Sequence, residues 1–284
     1  MSNETSHQSK AGHPSVFSVE NKIVVITGGL GQLGSTYAKA FLENGARVVT
    51  MDVGSLEEGH PSELHPFVGK KNFLHKVVDI TKKATLQNAL DEIVTEWGGI
   101  PEVLVNNAAL DSPPNAPDEE VGPFETYPEE SFENVMDVNV SGTFKCCQVF
   151  GGAMAKAGKG AIINISSIYG ILSPCQDIYE FRRKDGGTFY KPVAYSVSKS
   201  AIMNFTRYLA TYWAKQGVRV NTLTLAGIFN NQPEEFLDGY CARIPIGRMA
   251  DASEYVGPVL FLASEASLYM TGSNMVVDGG WSAW

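Results

Sequence analysis

A tyrosine and a lysine lie four residues apart in the stretch AYSVSKSAIMNFTRYLATYWAKQG, which has the pattern of a helix. At that spacing Tyr195 and Lys199 project from one helix face. A phenol has a pKa of about 10 in water, so it is a poor base at neutral pH. A neighbouring ammonium group is expected to favour the phenolate and lower that pKa. The pair therefore predicts general acid–base chemistry at a hydroxyl group.

A glycine-rich turn, TGGLGQLG at residues 27–34, joins the first predicted strand to an amphipathic helix. Such a turn brings the helix N-terminus against the pyrophosphate of a dinucleotide. Asp52 ends the next strand, where its carboxylate can accept hydrogen bonds from the adenosine ribose and would repel a 2′-phosphate. No Arg or Lys occupies the turn or directly follows Asp52, so the sequence favours NAD over NADP.

Other polar and small residues follow later strands. Asp79 follows the next apolar run. Its carboxylate could contact the edge of the adenine ring, or it could serve as a cap at the protein surface. The small residues of VLVNNAA (103–109) allow close backbone approach to the cofactor ribose, or form a plain turn. Ser166 and Ser167 end the strand GAIINISS, at the sheet edge where ligands of open α/β sheets bind. Asn139 lies in an irregular helical stretch, where its amide could hold a water against Lys199 or cap a turn.

These motifs, in this order and on these elements, resemble the short-chain dehydrogenase/reductase family from about Asn21 to the C-terminus. The resemblance implies a catalytic set of Asn139, Ser167, Tyr195 and Lys199. In that family the Tyr exchanges the hydroxyl proton, the Ser positions the substrate, and the Lys also binds the nicotinamide ribose. The predicted cofactor-contacting residues are Gly28, Gly31, Gln32, Leu33, Asp52, Asp79, Ile80, Asn107, Ala108, Ala109, Tyr195, Lys199, Gly227 and Ile228.

The chain departs from the family pattern in three places. Gln32 occupies the middle glycine position of the turn, and Gly31 precedes it. The family's Pro-Gly after the sixth strand is Ala226-Gly227, and Asn230 or Asn231 stands where a Thr is usual. The separation between the catalytic Ser and Tyr is about twice the usual length, which places an inserted segment, residues 172–192, beside the expected active site. We call this segment the insertion.

Seven apolar runs alternate with amphipathic stretches, and this alternation predicts an α/β protein with one doubly wound parallel sheet, a Rossmann fold, and helices on both faces. The predicted strands are Ile23–Thr27, Arg47–Asp52, Phe73–Asp79, Val103–Asn106, Gly160–Ser166, Arg219–Leu225 and Met275–Val277. The predicted helices cover about 33–44, 82–97, 129–156, 195–216 and 252–263. We expect residues 1–18 to form a flexible tail and 19–284 a single catalytic domain, with substrate loops near 110–128, 172–192 and 229–250.

Composition limits the partners. The net charge is −9, from 22 basic and 31 acidic residues without a dense basic run, which disfavours nucleic acid and anionic membranes. Cys146 and Cys147 are adjacent in a helical stretch and are expected to be buried; neither a disulfide framework nor a metal site is predicted. No signal peptide or membrane span is visible, so a cytoplasmic location follows by elimination.

The substrate is expected to be a small polar molecule. The insertion adds Tyr179 and the cations Arg182, Arg183, Lys184 and Lys191 near the active-site mouth, where they could recognise a phosphate or carboxylate or form a solvated rim. The insertion and the ending MVVDGGWSAW resemble family members acting on sugar acids or surface-glycan sugar precursors. The resemblance thus favours hydride transfer between NAD and a secondary alcohol or ketone of a carbohydrate-like substrate.

Two alternatives remain open. One is a 3-oxoacyl-thioester or general ketone reductase, which the long lid and Asp52 disfavour because biosynthetic reduction usually uses NADPH. The other is a non-catalytic dinucleotide-binding sensor, which the complete Asn-Ser-Tyr-Lys set disfavours. Members of the family are usually tetramers or dimers, so the resemblance implies a homo-oligomer. The apolar helix at 195–216 could lie in a subunit contact. Trp281 and Trp284 could lie in such a contact or complete the core of the monomer.

Overall fold

The apolar runs form one parallel sheet in a computed structural model that describes residues 15–56, 63–111, 120–183 and 188–284. The strands are β1 (Ile23–Thr27), β2 (Arg47–Asp52), β3 (Phe73–Val77), β4 (Val103–Asn106), β5 (Gly160–Ser167), β6 (Val218–Leu225) and β7 (Asn274–Val277). Their order across the sheet is β3-β2-β1-β4-β5-β6-β7, and every pairing is parallel. The predicted fold class is confirmed, and strand order reverses between β1 and β4, where this architecture binds ligands.

Helices cover both faces of the sheet. They are α1 (Gln32–Glu43), α2 (Lys83–Trp97), α3 (Glu129–Met136), α4 (Thr143–Cys146), α5 (Gly152–Ala157), α6 (Val193–Trp213), α7 (Glu234–Cys241) and α8 (Val256–Ala263). α3, α4 and α5 form one helical run interrupted by two π-helical turns, Asp137–Gly142 and Cys147–Gly151. The irregularity expected around Asn139 is therefore the first of these turns.

Successive residues of β1 bury their side chains on opposite faces of the sheet, because side chains alternate along a strand. Val24 and Ile26 belong to a core under α1 and α8, whereas Ile23 and Val25 belong to a second core under α2 and α6. Two buried faces require apolar residues at every position, and this explains the unbroken run of valine and isoleucine in the sequence.

A third apolar cluster lies beyond the carboxyl ends of the strands. There Tyr179, from the inserted segment, packs its ring 5.8 Å from that of Phe236 on α7. Tyr240, also on α7, packs against Trp281 with ring centroids 4.6 Å apart. The sequence did not predict α7, which lies inside the 229–250 loop. Of the two C-terminal tryptophans, Trp281 is buried in the core of the domain and Trp284 is exposed.

The described N-terminal residues lie on the domain. The Val16 carbonyl accepts a hydrogen bond from Ala266 N, and the Phe17 ring lies 6.5 Å from that of Phe261. Residues 15–18, which the sequence assigned to a flexible tail, therefore belong to the packed domain. Residues 1–14 lie outside the described residues, as do 112–119 and 184–187 of the predicted loops. Cys146 and Cys147 are buried, as expected. Among the described helices, none combines the length and apolar character needed to cross a bilayer.

Candidate active site

Two adjoining clefts open at the carboxyl ends of the central strands. A groove of about 690 Å³ runs along the glycine turn and the ends of β2 and β4, and a pocket of about 370 Å³ lies over the ends of β5 and β6. We call them the cofactor groove and the substrate pocket. Both are lined by Gln32, Leu33, Asn107, Ala109, Asp111 and Ile228.

The predicted site residues divide between these two clefts. Those that line the cofactor groove are Gly28, Gly31, Gln32, Leu33, Asp52, Asp79, Ile80, Asn107, Ala108, Ala109 and Ile228. Those that line the substrate pocket include Ser167, Tyr195, Lys199 and Gly227. Asn139 lines neither cleft.

The glycine turn is packed tightly against the segment after β4. Gly28 has φ +62°, and a Cβ there would lie 2.8 Å from the Ala108 Cα. A Cβ at Gly34 would lie 2.0 Å from the Gly28 carbonyl oxygen, so the first turn of α1 requires glycine at that position. The Asn107 side-chain amide donates to the carbonyls of Thr27 and Gly28, both at 3.1 Å. These contacts fix the floor of the groove.

The start of α1 fits a dinucleotide pyrophosphate. The residue before the helix is Gly31, and no side chain caps the helix there. A Cβ at Gly31 would meet only the Gly28 carbonyl, at 3.4 Å, so its absence leaves room on the groove side. A free helix N-terminus with open approach attracts a phosphate group. Gln32, the departure from the family's turn, donates from its side chain to the Phe229 carbonyl at 3.0 Å, which ties the turn to the segment after β6.

Two carboxylates line the far end of the groove. Asp52 accepts from Leu30 N at 3.0 Å and from Gly54 N at 3.2 Å, and these bonds hold its side chain at the groove wall. Asp79 accepts from the Thr81 backbone and hydroxyl, at 2.9 and 2.6 Å. The Thr81 hydroxyl chiefly holds the pKa of Asp79 below its usual range. These bonds match the capping alternative for Asp79, although its side chain also faces the groove.

Tyr195, Ser167 and Lys199 meet in the substrate pocket. Tyr195 lies in the first turn of α6 and lines this pocket together with Ser167, the last residue of β5. Ser167 Oγ accepts from Tyr169 N at 3.1 Å. Lys199, one helical turn after the tyrosine, donates to the Ile165 carbonyl at 3.0 Å, with its Nζ 5.7 Å from the Tyr195 ring centroid.

The direction of the tyrosine's pKa shift differs from the sequence expectation. Burial raises the pKa of Tyr195 above its ordinary value, the charge of Asp111 adds to this, and the nearby Ser167 hydroxyl opposes it. Burial also lowers the pKa of Lys199 to about 8, with Asp111 acting in the opposite direction. The net shift of the Tyr195 pKa is therefore upward, because burial is its largest cause.

Asn139 makes hydrogen bonds that the sequence did not predict. Its Oδ1 accepts from Leu110 N at 2.7 Å, and its Nδ2 donates to the Leu110 carbonyl at 2.9 Å and to Ser198 Oγ at 3.0 Å. Its own carbonyl accepts from Thr143 Oγ1 at 2.8 Å. The buried amide thus ties the segment after β4 to α6 and positions both walls of the site.

Asp111 is a pocket residue that the sequence did not predict, and it pairs with Lys191, which was predicted near the active-site mouth. Lys191 Nζ lies 2.5 Å from Asp111 Oδ1 and 5.1 Å from the Tyr195 ring centroid. The hydroxyls of Tyr169 and Tyr179 lie 3.4 Å apart in the same pocket. In the sequence, Asp111 is the first charged residue after NNAA and Lys191 lies four residues before Tyr195, but neither spacing reveals that the two side chains meet.

The inserted arginines hold the insertion itself. Arg182 stacks its guanidinium 4.0 Å from the Phe189 ring centroid. Arg183 donates to the carbonyls of Phe189 and Gln176, both at 2.9 Å. Lys184 lies outside the described residues. Among the described cations that were predicted near the mouth, which are Arg182, Arg183 and Lys191, Lys191 lines the substrate pocket.

The segment after β6 closes the pocket. Gly227 N donates to the Tyr240 hydroxyl at 2.6 Å, and a Cβ at Gly227 would lie 2.7 Å from that oxygen. Gln232 Nε2 donates to the Ile228 carbonyl at 2.8 Å. Gly227 and Ile228 therefore reach the pocket as predicted, through a turn that is fastened to α7.

Comparisons with known proteins agree with this geometry. A family model described as enoyl-(acyl carrier protein) reductase matches residues 31–282. D-threitol dehydrogenase of Mycolicibacterium smegmatis is 29% identical over 273 residues, 94% of this chain and 95% of that protein. The 2-dehydro-3-deoxy-D-gluconate 5-dehydrogenase of Escherichia coli is 31% identical over 280 residues, 95% of this chain and 98% of that protein.

Solved structures give the same result. A short-chain dehydrogenase from Leptospira borgpetersenii with bound NAD+ superimposes with a TM-score of 0.81 at 32% identity. The match covers 98% of this chain and all of the other. The family model, the relatives and the parallel seven-stranded sheet agree with the motifs read from the sequence, and this chain belongs to the short-chain dehydrogenase/reductase family.

Proposed function

We propose that this protein interconverts a secondary alcohol and a ketone on a carbohydrate-like substrate with NAD(H), with Tyr195 as the acid/base. The observation that carries this proposal is the meeting of Tyr195, Ser167 and Lys199 in one pocket that adjoins the dinucleotide groove. A bound nicotinamide would supply the hydride acceptor in oxidation and the hydride donor in reduction.

The chain's own residues handle the substrate oxygen and its proton. In oxidation, the O–H bond of the substrate breaks as its proton passes to the Tyr195 phenolate, while the carbinol hydride leaves with its electron pair. Ser167 Oγ donates to the substrate oxygen and fixes it beside the tyrosine. Lys199 stabilises the phenolate as a nearby cation, and Asn139 keeps the two walls of the pocket in register.

NAD is the proposed cofactor. Asp52 lines the groove where the adenosine ribose of a dinucleotide lies in this fold, and its carboxylate would repel a 2′-phosphate. The Leptospira structure contains NAD+ and other similar structures contain NADP, so the preference rests on Asp52.

A hydroxylated substrate suits the lining of the pocket. Its wall carries the phenols of Tyr169, Tyr179 and Tyr240, the amide of Gln232 and the ring of Phe236. Hydroxyls and amides bind sugar hydroxyls, and an aromatic ring covers their C–H faces. The relatives acting on threitol and on a sugar acid support this class. Activity confined to apolar ketones would instead favour the general ketone reductase alternative.

The test of the mechanism is Tyr195→Phe, with Tyr269→Phe as its control at a fully exposed position. Turnover of a panel of sugar alcohols and sugar acids with NAD should fall by a factor of about 100 or more in Tyr195→Phe. NAD affinity, measured by calorimetry, should remain close to that of the wild type in Tyr195→Phe, and Tyr269→Phe should be normal in both turnover and NAD affinity. Unchanged turnover in Tyr195→Phe removes the tyrosine from the mechanism; NAD binding without turnover of any alcohol or ketone by the wild type favours the sensor alternative.

We also propose a homo-oligomer. Tyr208 and Tyr212 stack with ring centroids 6.0 Å apart on the exposed side of α6, and Phe144 on α4 is also exposed. Exposed aromatic side chains on neighbouring helices are typical of subunit contacts. Light scattering on the purified protein decides between monomer, dimer and tetramer. The cytoplasmic location stays a prediction from the sequence.

A further inference from the structure

We infer that the Asp111–Lys191 pair is a specificity determinant that selects an uncharged vicinal diol over the corresponding sugar acid. The inference rests on the proposed function and names the substrate class of that same pocket. The pair comes from two segments far apart in the chain, the end of the NNAA segment and the insertion, and its members meet beside Tyr195.

The pair lies beside Tyr195, where it would face the substrate atom next to the reacting carbon. Lys191 Nζ lies 5.1 Å from the Tyr195 ring centroid, and the Lys191 side chain is 10% exposed. Asp111 is 48% exposed and lines both clefts. A substrate hydroxyl held at Tyr195 and Ser167 therefore has its neighbouring carbon within reach of the pair.

A hydroxyl group suits an ion pair because it both donates and accepts hydrogen bonds. The substrate's second hydroxyl can donate to the Asp111 carboxylate and accept from the Lys191 ammonium without adding charge. A carboxylate in the same place only accepts. It would bond to Lys191 but would meet Asp111 as a like charge, so binding an acid would separate the existing pair.

The other charges of the pocket also disfavour a substrate carboxylate. Among the described residues lining it, the cations are Lys191 and Lys199, and the carboxylate is that of Asp111. Lys191 faces Asp111, whereas Lys199 Nζ is held by the Ile165 carbonyl and burial lowers its pKa to about 8. The cation beside the expected second hydroxyl thus already has its anion, and Arg182 and Arg183 lie against the aromatic rings and carbonyls of the insertion. A substrate carboxylate would bring a charge without a counterpart.

The experiment compares matched substrates within each variant. It measures kcat/KM with NAD for threitol against threonate and for glucitol against gluconate, pairs that differ by a carboxylate. The ratio of the two values cancels any effect of a substitution on Tyr195 itself. The variants are Asp111→Asn, Lys191→Gln and the double variant. The control is Lys159→Gln, whose side chain is 65% exposed in an ion pair with Glu102 at the opposite edge of the sheet.

The wild type should prefer the polyol of each pair. Asp111→Asn leaves Lys191 without its counter-charge, so the acid-to-polyol ratio should rise about tenfold, the effect of one charge-assisted hydrogen bond. Lys191→Gln should lower that ratio, because Asp111 then repels the acid, and the double variant should return towards the wild-type value. Lys159→Gln should leave the ratio unchanged.

Several outcomes overturn the inference. A wild type that prefers the acids, or variants that leave the ratio where it was, would show that the pair does not select charge. The wild-type ratio alone decides the point if a variant fails to fold, which its thermal midpoint reveals. Failure of the proposed function is distinguishable, because it would appear as NAD binding with no turnover of either member of any pair.

Discussion

The amide of Asn139 provides a quantitative test of how the site is held together. Its side chain is 2% exposed and makes three hydrogen bonds, two to the Leu110 backbone and one to Ser198 Oγ. Asn139→Ala removes all three and leaves those partners buried. At about 1 kcal/mol for each bond, the free energy of unfolding should fall by about 3 kcal/mol. For a domain of this size that corresponds to a loss of about 6 °C in the thermal midpoint.

The matched control is Asn134→Ala, which is exposed on the same helical run. It makes the same chemical change and includes the gain in helix propensity of about half a kcal/mol or less. Its thermal midpoint should therefore stay the same or rise slightly. The assay is thermal unfolding by circular dichroism for the wild type and both variants, with kcat/KM measured on the same samples.

Activity should fall together with stability in Asn139→Ala. Leu110 is followed directly by Asp111, so loss of the amide frees the wall that carries the carboxylate. Equal thermal midpoints for the two variants would refute the reasoning, because they would show that the three bonds do not hold the site. A normal midpoint with lost activity would give Asn139 a direct part in the reaction instead.

Two further predictions concern charge. Asp52→Asn should lower the ratio of kcat/KM for NAD to that for NADP by about tenfold or more, because it removes an acceptor for the ribose hydroxyls and a charge that repels the 2′-phosphate. The control Asp91→Asn, at an exposed position of α2, should leave this ratio unchanged. An unchanged ratio in Asp52→Asn would contradict the cofactor assignment. Burial lowers the pKa of Lys199 from 10.5 to about 8, so above pH 8 the folded protein has lost a proton that the unfolded chain keeps. Between pH 7 and pH 9.5 the wild type should therefore gain about 2 kcal/mol of stability relative to Lys199→Met; urea unfolding at the two pH values measures this difference, and a constant difference would mean that Lys199 is not desolvated.

The elements that position the chemistry could be predicted because local sequence determines them. Continuous valine and isoleucine over β1, with TGGLGQLG directly after it, specify a buried parallel strand and a cofactor turn. Tyr195 and Lys199 share a helix face by spacing alone. The family resemblance, the fold class and the carbohydrate-related relatives all agree with those motifs.

The features that the sequence did not predict depend on contacts between distant segments. Asp111 and Lys191 are 80 residues apart, and no periodicity pairs them. The shift in the Tyr195 pKa depends on burial, which only the assembled pocket determines. α7 has eight residues and begins directly after Pro233, so its signal is too short to separate from a loop before Phe236 and Tyr240 are seen packing on the insertion.

That packing has a consequence for protein engineering. Because Tyr179 and Phe236 belong to one apolar cluster, the insertion and α7 pack against each other and should behave as one unit rather than as two independent loops. Grafting α7 alone onto a relative with a shorter Ser–Tyr connection would expose its inner face to water. Grafting the insertion alone would leave Tyr179 without its partner ring. A chimera should inherit the substrate range of this enzyme only when residues 172–192 and 229–250 are transferred together.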